Sequence, residues 1–459
     1  MHKRLSALLI NPYIYDVSAY GFWSAPLGLL YMGAILRKAG LRVSLLDCLV
    51  EQEEKRKEDG RAPFVKERVE NPGATKGLPK NFRRYGMSPN EVSRRLATME
   101  KPDFILITCC MTYWYTGAAE IVRLARLAFP TALIAVGGVY PALCPDHADR
   151  EMPDADIIVG RDNLGAFYRM IEEAQGDRLS VSPGRDCIAE FPYPAFDLYK
   201  RRVYVPLLTS VGCIYNCTYC ATSYLRSAIV RRPPRDVLRE IVYWNGKDIS
   251  RFALYDDGFL VDPDGFAKPL LMGIARLPFD VSIYNPNAMN AALIDKEVAA
   301  LLRGARFQEV RLGLETSDSD IQRTTGGKIN KRTFEKAVDH LLSAGFSRHV
   351  VQAYVMAGLP EQRWENVKES VDFAIGLGIT VTLAEYTPIP HSPMFERYAR
   401  LARYPIAEEP LFQNNALFPF AWEGFTDNDL VSLKTYVRGK NPVAKSVPAD
   451  DGRTAGLLS

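Results

Sequence analysis

The sequence predicts an α/β protein in which an amino-terminal Rossmann-like doubly wound sheet is followed by a partial (β/α)6 barrel. Short apolar runs typical of buried parallel strands alternate with helical patterns along most of the 459 residues. The alternation occurs in two series, the first ending near residue 175 and the second beginning at residue 205. Such repeats fold as parallel sheets covered by helices, and the length exceeds that of one ordinary domain.

The first series, over residues 1–175, contains five predicted strands. A helix that begins at Pro26 follows the first strand, with basic residues in its last turn and Gly40 just after its end. A helix at 118–128 follows the third. Doubly wound sheets bind ligands at the carboxyl ends of their strands, where Gly137 and Gly138 lie; a tight turn without a ligand is the alternative. The predicted strands are 5–10, 42–47, 104–108, 132–136 and 157–159.

Three segments lack a clear hydrophobic period. Residues 51–101 begin with a charged run and contain several Pro and Gly residues, which predicts a solvated, partly irregular insertion that caps a site. Residues 176–204 are predicted to be a linker, with Pro183 and Pro192. Residues 396–459 are predicted to be a less regular carboxyl-terminal extension with a disordered polar end.

The second series, over residues 205–395, contains six predicted strands with helices between them. Six strand–helix units predict a partial barrel, and barrel sites lie at the carboxyl ends of the strands. Polar or glycine-rich residues follow several of these strands directly. The predicted strands are 205–209, 251–255, 281–284, 309–313, 350–356 and 380–386.

Composition excludes several classes of protein. The net charge of +3 gives no support to a nucleic-acid-binding surface. The sequence contains no run of about 18 uncharged apolar residues, so it predicts no membrane span. The first apolar run is too short for a signal peptide. Eight cysteines over this length are too few and too unevenly placed for a disulfide scaffold.

Cys213, Cys217 and Cys220 form a C-x3-C-x2-C motif after the first predicted barrel strand. Three thiolates this close can bind one 4Fe–4S cluster, which leaves one iron without a protein ligand and favours catalysis. Buried thiols or a zinc site are the alternatives. Zinc normally takes four ligands, and no second C-x2-C pair follows. An oxygen-sensitive cluster favours a cytoplasmic location.

The strand at 205–210 leading into this motif, with Tyr219 before the last cysteine, resembles the radical S-adenosylmethionine (radical SAM) superfamily. The resemblance implies that SAM chelates the open iron and is cleaved to a 5′-deoxyadenosyl radical. It also implies an external electron donor such as flavodoxin or ferredoxin. In such enzymes the cofactor carries the chemistry, and the protein positions it.

Further strand ends resemble SAM-binding elements of that superfamily. The element 254–259 places two carboxylates where the family holds the methionine amine, although an Asx turn at Asp257 is the alternative. Lys328 is assigned to the methionine carboxylate, with a plain surface lysine as the alternative. The resemblance implies SAM contacts from Tyr219, Asp256, Asp257, Gly313, Glu315, Lys328, Gly358 and Pro360.

The sixth predicted barrel strand ends at Tyr386 and leads into Thr387-Pro388-Ile389-Pro390-His391. This run resembles a family element in which Gly-Thr usually replaces His391-Ser392. An unusual histidine at a site-facing strand end makes His391, together with Tyr386, a candidate catalytic residue. A surface loop histidine is the alternative.

The amino-terminal domain resembles the cobalamin-binding domain of one large radical SAM branch. Asp16-Val17-Ser18-Ala19-Tyr20-Gly21 has the spacing of its D-x-H-x-x-G motif with Ser18 in place of histidine, so no histidine ligand to cobalt is expected. The loop 109–115 is expected to cover the lower face of the corrin; a packed aromatic cluster is the alternative. The resemblance implies cobalamin contacts from Ser18, Gly21, Gly28, Thr108, Thr112, Tyr113, Gly137, Gly138 and Gly160.

Together these resemblances imply a cobalamin-dependent enzyme that transfers a methyl group to an unactivated carbon. A radical cyclisation, rearrangement or oxidation on the same architecture is the first alternative. A methylthiotransferase is the second, but the order of Cys48, Cys109, Cys110 and Cys144 does not match its second cluster. A non-enzymatic carrier of the cluster or of cobalamin is the third. The substrate, a small molecule or a peptide, is not readable, and residues 51–101 and those after 395 are expected to select it.

Overall fold

The computed structural model describes residues 4–176, 178–179, 184, 187–226 and 228–441. Its amino-terminal half contains a parallel five-stranded sheet of order β3-β1-β6-β7-β8. The strands of this half are β1 Ser6–Asn11, β2 Ile14–Asp16, β3 Arg42–Asp47, β4 Lys66–Arg68, β5 Arg83–Tyr85, β6 Phe104–Thr108, β7 Leu133–Gly137 and β8 Ile157–Val159.

Helices cover both faces of this sheet, because successive side chains of a strand point to opposite sides. In β1, Leu8 and Ile10 pack with α2 and α3, whereas Ala7 and Leu9 pack with α1 and α6. The strand order reverses beside β1, so the sheet is doubly wound as predicted. The helices are α1 Leu27–Lys38, α2 Pro89–Ala97, α3 Tyr115–Ala128, α4 Val139–Leu143, α5 Pro145–Glu151 and α6 Leu164–Gln175.

The insertion at 51–101 is more ordered than its sequence predicts. Strands β4 and β5 form an antiparallel three-stranded sheet with β2, in the order β2-β5-β4. Phe64, Phe82 and Tyr85 are buried. The prediction of a solvated excursion is therefore wrong for this part, because strands of three residues that pair across long sequence distances leave no readable local period.

Six parallel strands of the second half form the predicted partial barrel. They pair as β9-β12-β13 and as β14-β15-β16, and isolated parallel bridges at Ile283–Phe307 and Met289–Leu312 join the two groups. A short antiparallel pair, β10 with β11, flanks the cysteine loop. The strands are β9 Val205–Leu207, β10 Ser210–Val211, β11 Val230–Arg231, β12 Arg251–Leu254, β13 Ser282–Tyr284, β14 Val310–Glu315, β15 Val351–Ala357 and β16 Thr380–Glu385.

The barrel helices and the carboxyl-terminal extension complete the chain. Short 3-10 helices connect α14 to α15, and the predicted polar end after residue 441 lies outside the described residues, as does Pro183 of the predicted linker. No described helix has the length and apolar character needed to cross a membrane. The helices are α7 Thr222–Leu225, α8 Pro234–Asn245, α9 Lys268–Ala275, α10 Lys296–Gly304, α11 Ser319–Thr325, α12 Lys331–Ser343, α13 Trp364–Gly376, α14 Pro393–Tyr398 and α15 Asp427–Lys440.

The extension packs on both halves of the molecule. Leu411 is buried in the core beside α2 and α3, whereas Phe418, Phe425 and Leu430 are buried in the barrel core. The two halves also touch directly, because the hydroxyl of Tyr255, after β12, donates a hydrogen bond to the carbonyl oxygen of Phe22. In the segment before the barrel, the hydroxyl of Tyr199 donates a hydrogen bond of 2.6 Å to Asp47, at the end of β3. The carboxyl edge of the amino-terminal sheet therefore faces the barrel.

Candidate active site

The three cysteines of the C-x3-C-x2-C motif lie on one loop between β10 and α7. Gly212 precedes the loop with φ +83°, and a Cβ there would lie 2.4 Å from the carbonyl oxygen of Ala228, so the position requires glycine. The backbone N–H of Gly212 donates a hydrogen bond of 2.8 Å to Asp257. This bond fixes the start of the loop to the end of β12.

All three cysteines line one cavity of about 110 Å³, which we call the cluster cavity. Burial raises the pKa of Cys213 and of Cys217, and the neighbouring Cys220 thiol raises both further. Among the described residues, no three His, Cys, Asp or Glu side chains are arranged to hold a single metal ion. Three thiols spread around a cavity fit an iron–sulfur cluster, in which each thiolate binds a different iron.

Asp256 lines the same cavity and is buried. Its Oδ1 accepts hydrogen bonds of 2.6 Å from the hydroxyls of Thr209 and Ser210, and one from the Ser210 N–H. Its Oδ2 is buried without a hydrogen-bond partner in the described part of the chain. Burial raises the pKa of Asp256 to about 6 despite these hydrogen bonds. A buried, unpartnered carboxylate oxygen at a cavity wall fits the ammonium group of SAM.

Lys328 and Tyr219 also line the cluster cavity. The Lys328 ammonium donates to Glu315 at 3.0 Å. Burial lowers the pKa of Lys328, but the neighbouring Glu315 and Cys217 outweigh it, so the pKa is raised. Lys328 is thus a paired cation in the cavity wall. The Tyr219 hydroxyl is buried without a partner among the described residues, and burial raises its pKa.

Other predicted SAM residues lie outside the lining of this cavity. Glu315 faces its partner Lys328. Gly313 leaves room for the Glu315 carboxylate, since a Cβ at position 313 would lie 2.7 Å from the Glu315 Oε1. Gly358 has φ +88° and packs under Phe418 of the extension, which covers this end of β15. Pro360, two residues on, does not line the cluster cavity either.

The structure does not bring Tyr386 or His391 to the cavity. Tyr386 is buried in an apolar cluster with Phe420. The Nε2 of His391 lies 2.9 Å from the carbonyl oxygen of Leu143, and its ring stacks on Tyr224 at 3.9 Å. His391 therefore joins the two halves of the molecule. Sequence alone placed it at a strand end but gave no sign that a carbonyl of the other half would meet it.

Two larger cavities separate the amino-terminal sheet from the barrel. The interdomain cavity, of about 860 Å³, runs from Thr108 and Cys110 at the sheet edge to Tyr255 and Tyr354 of the barrel. The sheet cavity, of about 420 Å³, extends between the sheet and α1, and its lining is mainly apolar. Both share Gly28, Thr108 and Cys110, so they form adjoining parts of one space.

Four of the predicted cobalamin residues line this space, namely Gly28, Thr108, Gly137 and Gly138. Ser18 is exposed, and its backbone N–H donates to Asp16. The remaining residues that do not line either cavity are Gly21, Thr112, Tyr113 and Gly160. In the loop 109–115, the residues that line the interdomain cavity are Cys109, Cys110, Met111 and Trp114.

Three residues connect the cavities, and sequence reasoning found Asp257 but missed Asn287 and Thr222. Asn287 lines both the cluster cavity and the interdomain cavity, and Thr222 and Asp257 line both the cluster cavity and the sheet cavity. The signal for Asn287 was present, because Asn285-Pro286-Asn287 directly follows the predicted strand 281–284. A cofactor at the cysteines and another at the sheet edge would therefore face a common space.

Comparisons with known proteins agree with this geometry. Residues 207–374 match the model of the radical SAM superfamily. The uncharacterized methyltransferase PH0819 of Pyrococcus horikoshii is 25% identical over 364 residues, covering 72% of this chain and 74% of that protein. The cytidylyl-2-hydroxyethylphosphonate methyltransferase of Streptomyces wedmorensis is 21% identical over 419 residues, covering 77% and 74%.

The fold is also similar to that of the radical SAM methyltransferase TsrM from Kitasatospora setae. The structure of TsrM with cobalamin and a [4Fe–4S] cluster has a TM-score of 0.63 and 17% identity, over 88% of this chain and 80% of TsrM. Its structure with tryptophan and a SAM analogue has a TM-score of 0.67 over 98% of this chain. The resemblance in fold thus includes the amino-terminal sheet as well as the barrel. The segment 207–374 thus matches the radical SAM superfamily, and it follows an amino-terminal doubly wound sheet.

Proposed function

We propose that this protein is a cobalamin-dependent radical SAM enzyme that transfers a methyl group to an unactivated carbon. The observation that carries the proposal is the continuity of the three cavities. Asn287, Thr222 and Asp257 each line the cluster cavity and one of the two cavities at the sheet edge. Two cofactors and a substrate need such a common space, because the reacting atoms must approach within contact distance.

The barrel residues are assigned to the cluster and to SAM. Cys213, Cys217 and Cys220 hold the 4Fe–4S cluster, and the buried Asp256 carboxylate accepts the SAM ammonium group. Asp257 holds the cysteine loop through Gly212. When bound, the reduced cluster supplies an electron to SAM and cobalamin supplies the methyl group. Gly313, Glu315, Gly358 and Pro360 are assigned to shaping this end of the barrel rather than to direct contact.

The amino-terminal sheet is assigned to cobalamin, and the observations support the fit. Its carboxyl edge opens into the two larger cavities, and small residues at Gly28, Gly137 and Gly138 leave room for a bulky ligand. The mainly apolar sheet cavity suits the hydrocarbon faces of a large ring system. No histidine of the described part of the chain lines the cavities, so we propose that the protein supplies no histidine ligand to cobalt.

Structural neighbours and relatives support methyl transfer over other radical reactions. PH0819, the phosphonate enzyme and TsrM are each named as methyltransferases. A radical rearrangement or oxidation on the same architecture is the second candidate, because the same cavities suit it. We further propose a cytoplasmic enzyme that takes electrons from a flavodoxin-like or ferredoxin-like donor, since an oxygen-sensitive 4Fe–4S cluster needs a reducing environment.

Anaerobic reconstitution tests the proposal. The protein is expressed with cobalamin supplied, reconstituted with iron and sulfide, and mixed with SAM and a reductant. We expect a cluster absorption band, retained cobalamin, and the formation of both 5′-deoxyadenosine and S-adenosylhomocysteine. A cluster with 5′-deoxyadenosine but without bound cobalamin contradicts the cobalamin assignment, and with it the methyltransferase.

A further inference from the structure

Asp16 is a buried carboxylate that joins three distant parts of the chain. It ends β2 and is 2% exposed. One oxygen accepts a hydrogen bond of 2.6 Å from the indole N–H of Trp114. The other accepts from the side-chain amide of Asn414 at 2.9 Å and from the N–H of Ser18 at 3.2 Å. Hydrogen bonds to an ionised acceptor are stronger than those between neutral groups.

The Trp114 end of this network reaches the interdomain cavity. Trp114 lies in the loop between β6 and α3 and lines that cavity together with Cys110 and Met111 of the same loop. Its indole N–H is its only hydrogen-bonding group. The bond to Asp16 therefore fixes the orientation in which the ring faces the cavity.

The Asn414 end belongs to the carboxyl-terminal extension and touches none of the three cavities. Asn414 is 1% exposed, and its Oδ1 accepts a hydrogen bond of 2.9 Å from the N–H of Ala416. The two ends of its amide are thus both occupied. With its Oδ1 bound to Ala416, the Asn414 side chain directs its NH2 group at Asp16.

The extension is in turn fixed to the barrel. The indole N–H of Trp422 donates at 2.9 Å to the carbonyl oxygen of Gln362, and the Asn441 amide makes two bonds of 2.8 Å with the backbone of Val381. A continuous set of contacts therefore runs from the barrel through the extension to the cavity wall. Only a carboxylate at position 16 can accept from both the indole and the amide, because an asparagine would present a donor to one of them.

We propose that Asp16 is a positioning residue, which couples the carboxyl-terminal extension to the Trp114 wall and so sets the shape of the cobalamin site relative to the barrel. The inference rests on the proposed function for the identity of the occupant. In the D-x-H-x-x-G motif, whose spacing Asp16 to Gly21 matches, the histidine position is occupied by Ser18. The aspartate of this chain instead joins Trp114 to the carboxyl-terminal extension.

The test uses the full-length apoprotein and two measurements. Hydroxocobalamin binding is titrated by absorbance, and acrylamide quenching of Trp114 is obtained by difference from Trp114→Phe. Asn414→Ala is expected to weaken hydroxocobalamin binding about fivefold or more, and to make Trp114 more accessible to quencher. Asn415→Ala is the matched control, since this neighbouring side chain makes a long contact of 3.5 Å with the Glu385 carbonyl oxygen and lies outside the lining of the three cavities.

Non-additivity separates positioning from general destabilisation. Asn414→Ala combined with Trp114→Phe is expected to bind no more weakly than Trp114→Phe alone, because both changes break one chain of contacts. Additive losses, or an Asn414→Ala variant that matches Asn415→Ala in quenching and in affinity, overturn the proposal. If Asn414→Ala fails to fold, Trp114→Phe serves as the test, because it keeps an aromatic ring and removes the indole N–H. Trp114→Phe must then by itself weaken hydroxocobalamin binding. Unchanged affinity of this variant overturns the proposal.

Failure of the proposed function gives a different result. Wild-type protein that binds no hydroxocobalamin contradicts the cobalamin assignment. The quenching of Trp114 then decides the positioning role alone: increased accessibility in Asn414→Ala but not in Asn415→Ala supports it, and equal accessibility overturns it.

Discussion

The side-chain amide of Asn287 donates a hydrogen bond of 3.1 Å to the carbonyl oxygen of Asp256. The bond ties the segment after β13 to the end of β12, at the boundary between the cluster cavity and the interdomain cavity. It also fixes the backbone from which the Asp256 carboxylate projects. The proposed SAM site and the opening toward the amino-terminal sheet thus share one backbone support.

Asp256 is expected to make SAM binding depend on pH. Burial raises the pKa of this carboxyl to about 6, so below that pH it is protonated and cannot pair with an ammonium group. Isothermal titration at a series of pH values should show SAM affinity rising as the pH passes through about 6. Asp256→Asn should bind about tenfold more weakly and lose this rise, whereas Asp280→Asn, an exposed control, should behave as wild type. A pH-independent wild type contradicts the assignment.

The same carboxyl should lower the stability of the ligand-free protein at neutral pH. The pKa of this carboxyl is higher in the folded than in the unfolded chain. Its contribution to the free energy of unfolding is therefore full below about pH 4 and is lost as the pH rises through about 6. Above that pH the ionised carboxyl lowers the free energy of unfolding by about 3 kcal/mol at most. Chemical denaturation should therefore find Asp256→Asn more stable than wild type at pH 8 by about 1–3 kcal/mol, with the difference vanishing near pH 4. An Asp256→Asn protein that is less stable at both pH values contradicts the prediction.

Replacing a single cluster cysteine should remove the cluster without unfolding the barrel. Cys217→Ala deletes a small buried side chain in a loop, so circular dichroism should change little. Iron content and the cluster absorption band after reconstitution should fall to background, because a 4Fe–4S cube is not held by two thiolates. Cys187→Ala is the control, since this thiol lies outside the cluster cavity. Retention of a full cluster in Cys217→Ala would show that other thiols supply the ligand.

Gly358 should tolerate no side chain. Its φ of +88° disfavours any other residue, and a Cβ would lie 2.6 Å from the Phe418 ring. Gly358→Ala should lower the free energy of unfolding by about 2 kcal/mol. Gly376→Ala in α13 has no atom within 4 Å of the new Cβ and should be neutral or slightly stabilising. Equal effects of the two substitutions in denaturant titrations contradict the packing of the extension on this strand end.

Local sequence patterns predicted much of the fold and of the cluster site. The cysteine spacing and the carboxylate after a buried strand are both set within a few residues, and apolar runs marked the buried parallel strands. The fold class and the radical SAM resemblance are confirmed. What the sequence did not reveal depends on contacts between distant segments. β5 pairs with β2 across nearly seventy residues, His391 meets Leu143 of the other half, and Asp16 turns to Trp114 and Asn414.

The distance between the two proposed cofactors tests the central claim most directly. Electron paramagnetic resonance is recorded on protein loaded with cob(II)alamin, with the 4Fe–4S cluster first oxidised and then reduced. If both groups face the common space, the reduced cluster should broaden or split the cob(II)alamin signal, and Cys217→Ala should abolish the effect. Two unperturbed signals that simply add would contradict the account, because they would place cobalamin outside the cavities that adjoin the cluster.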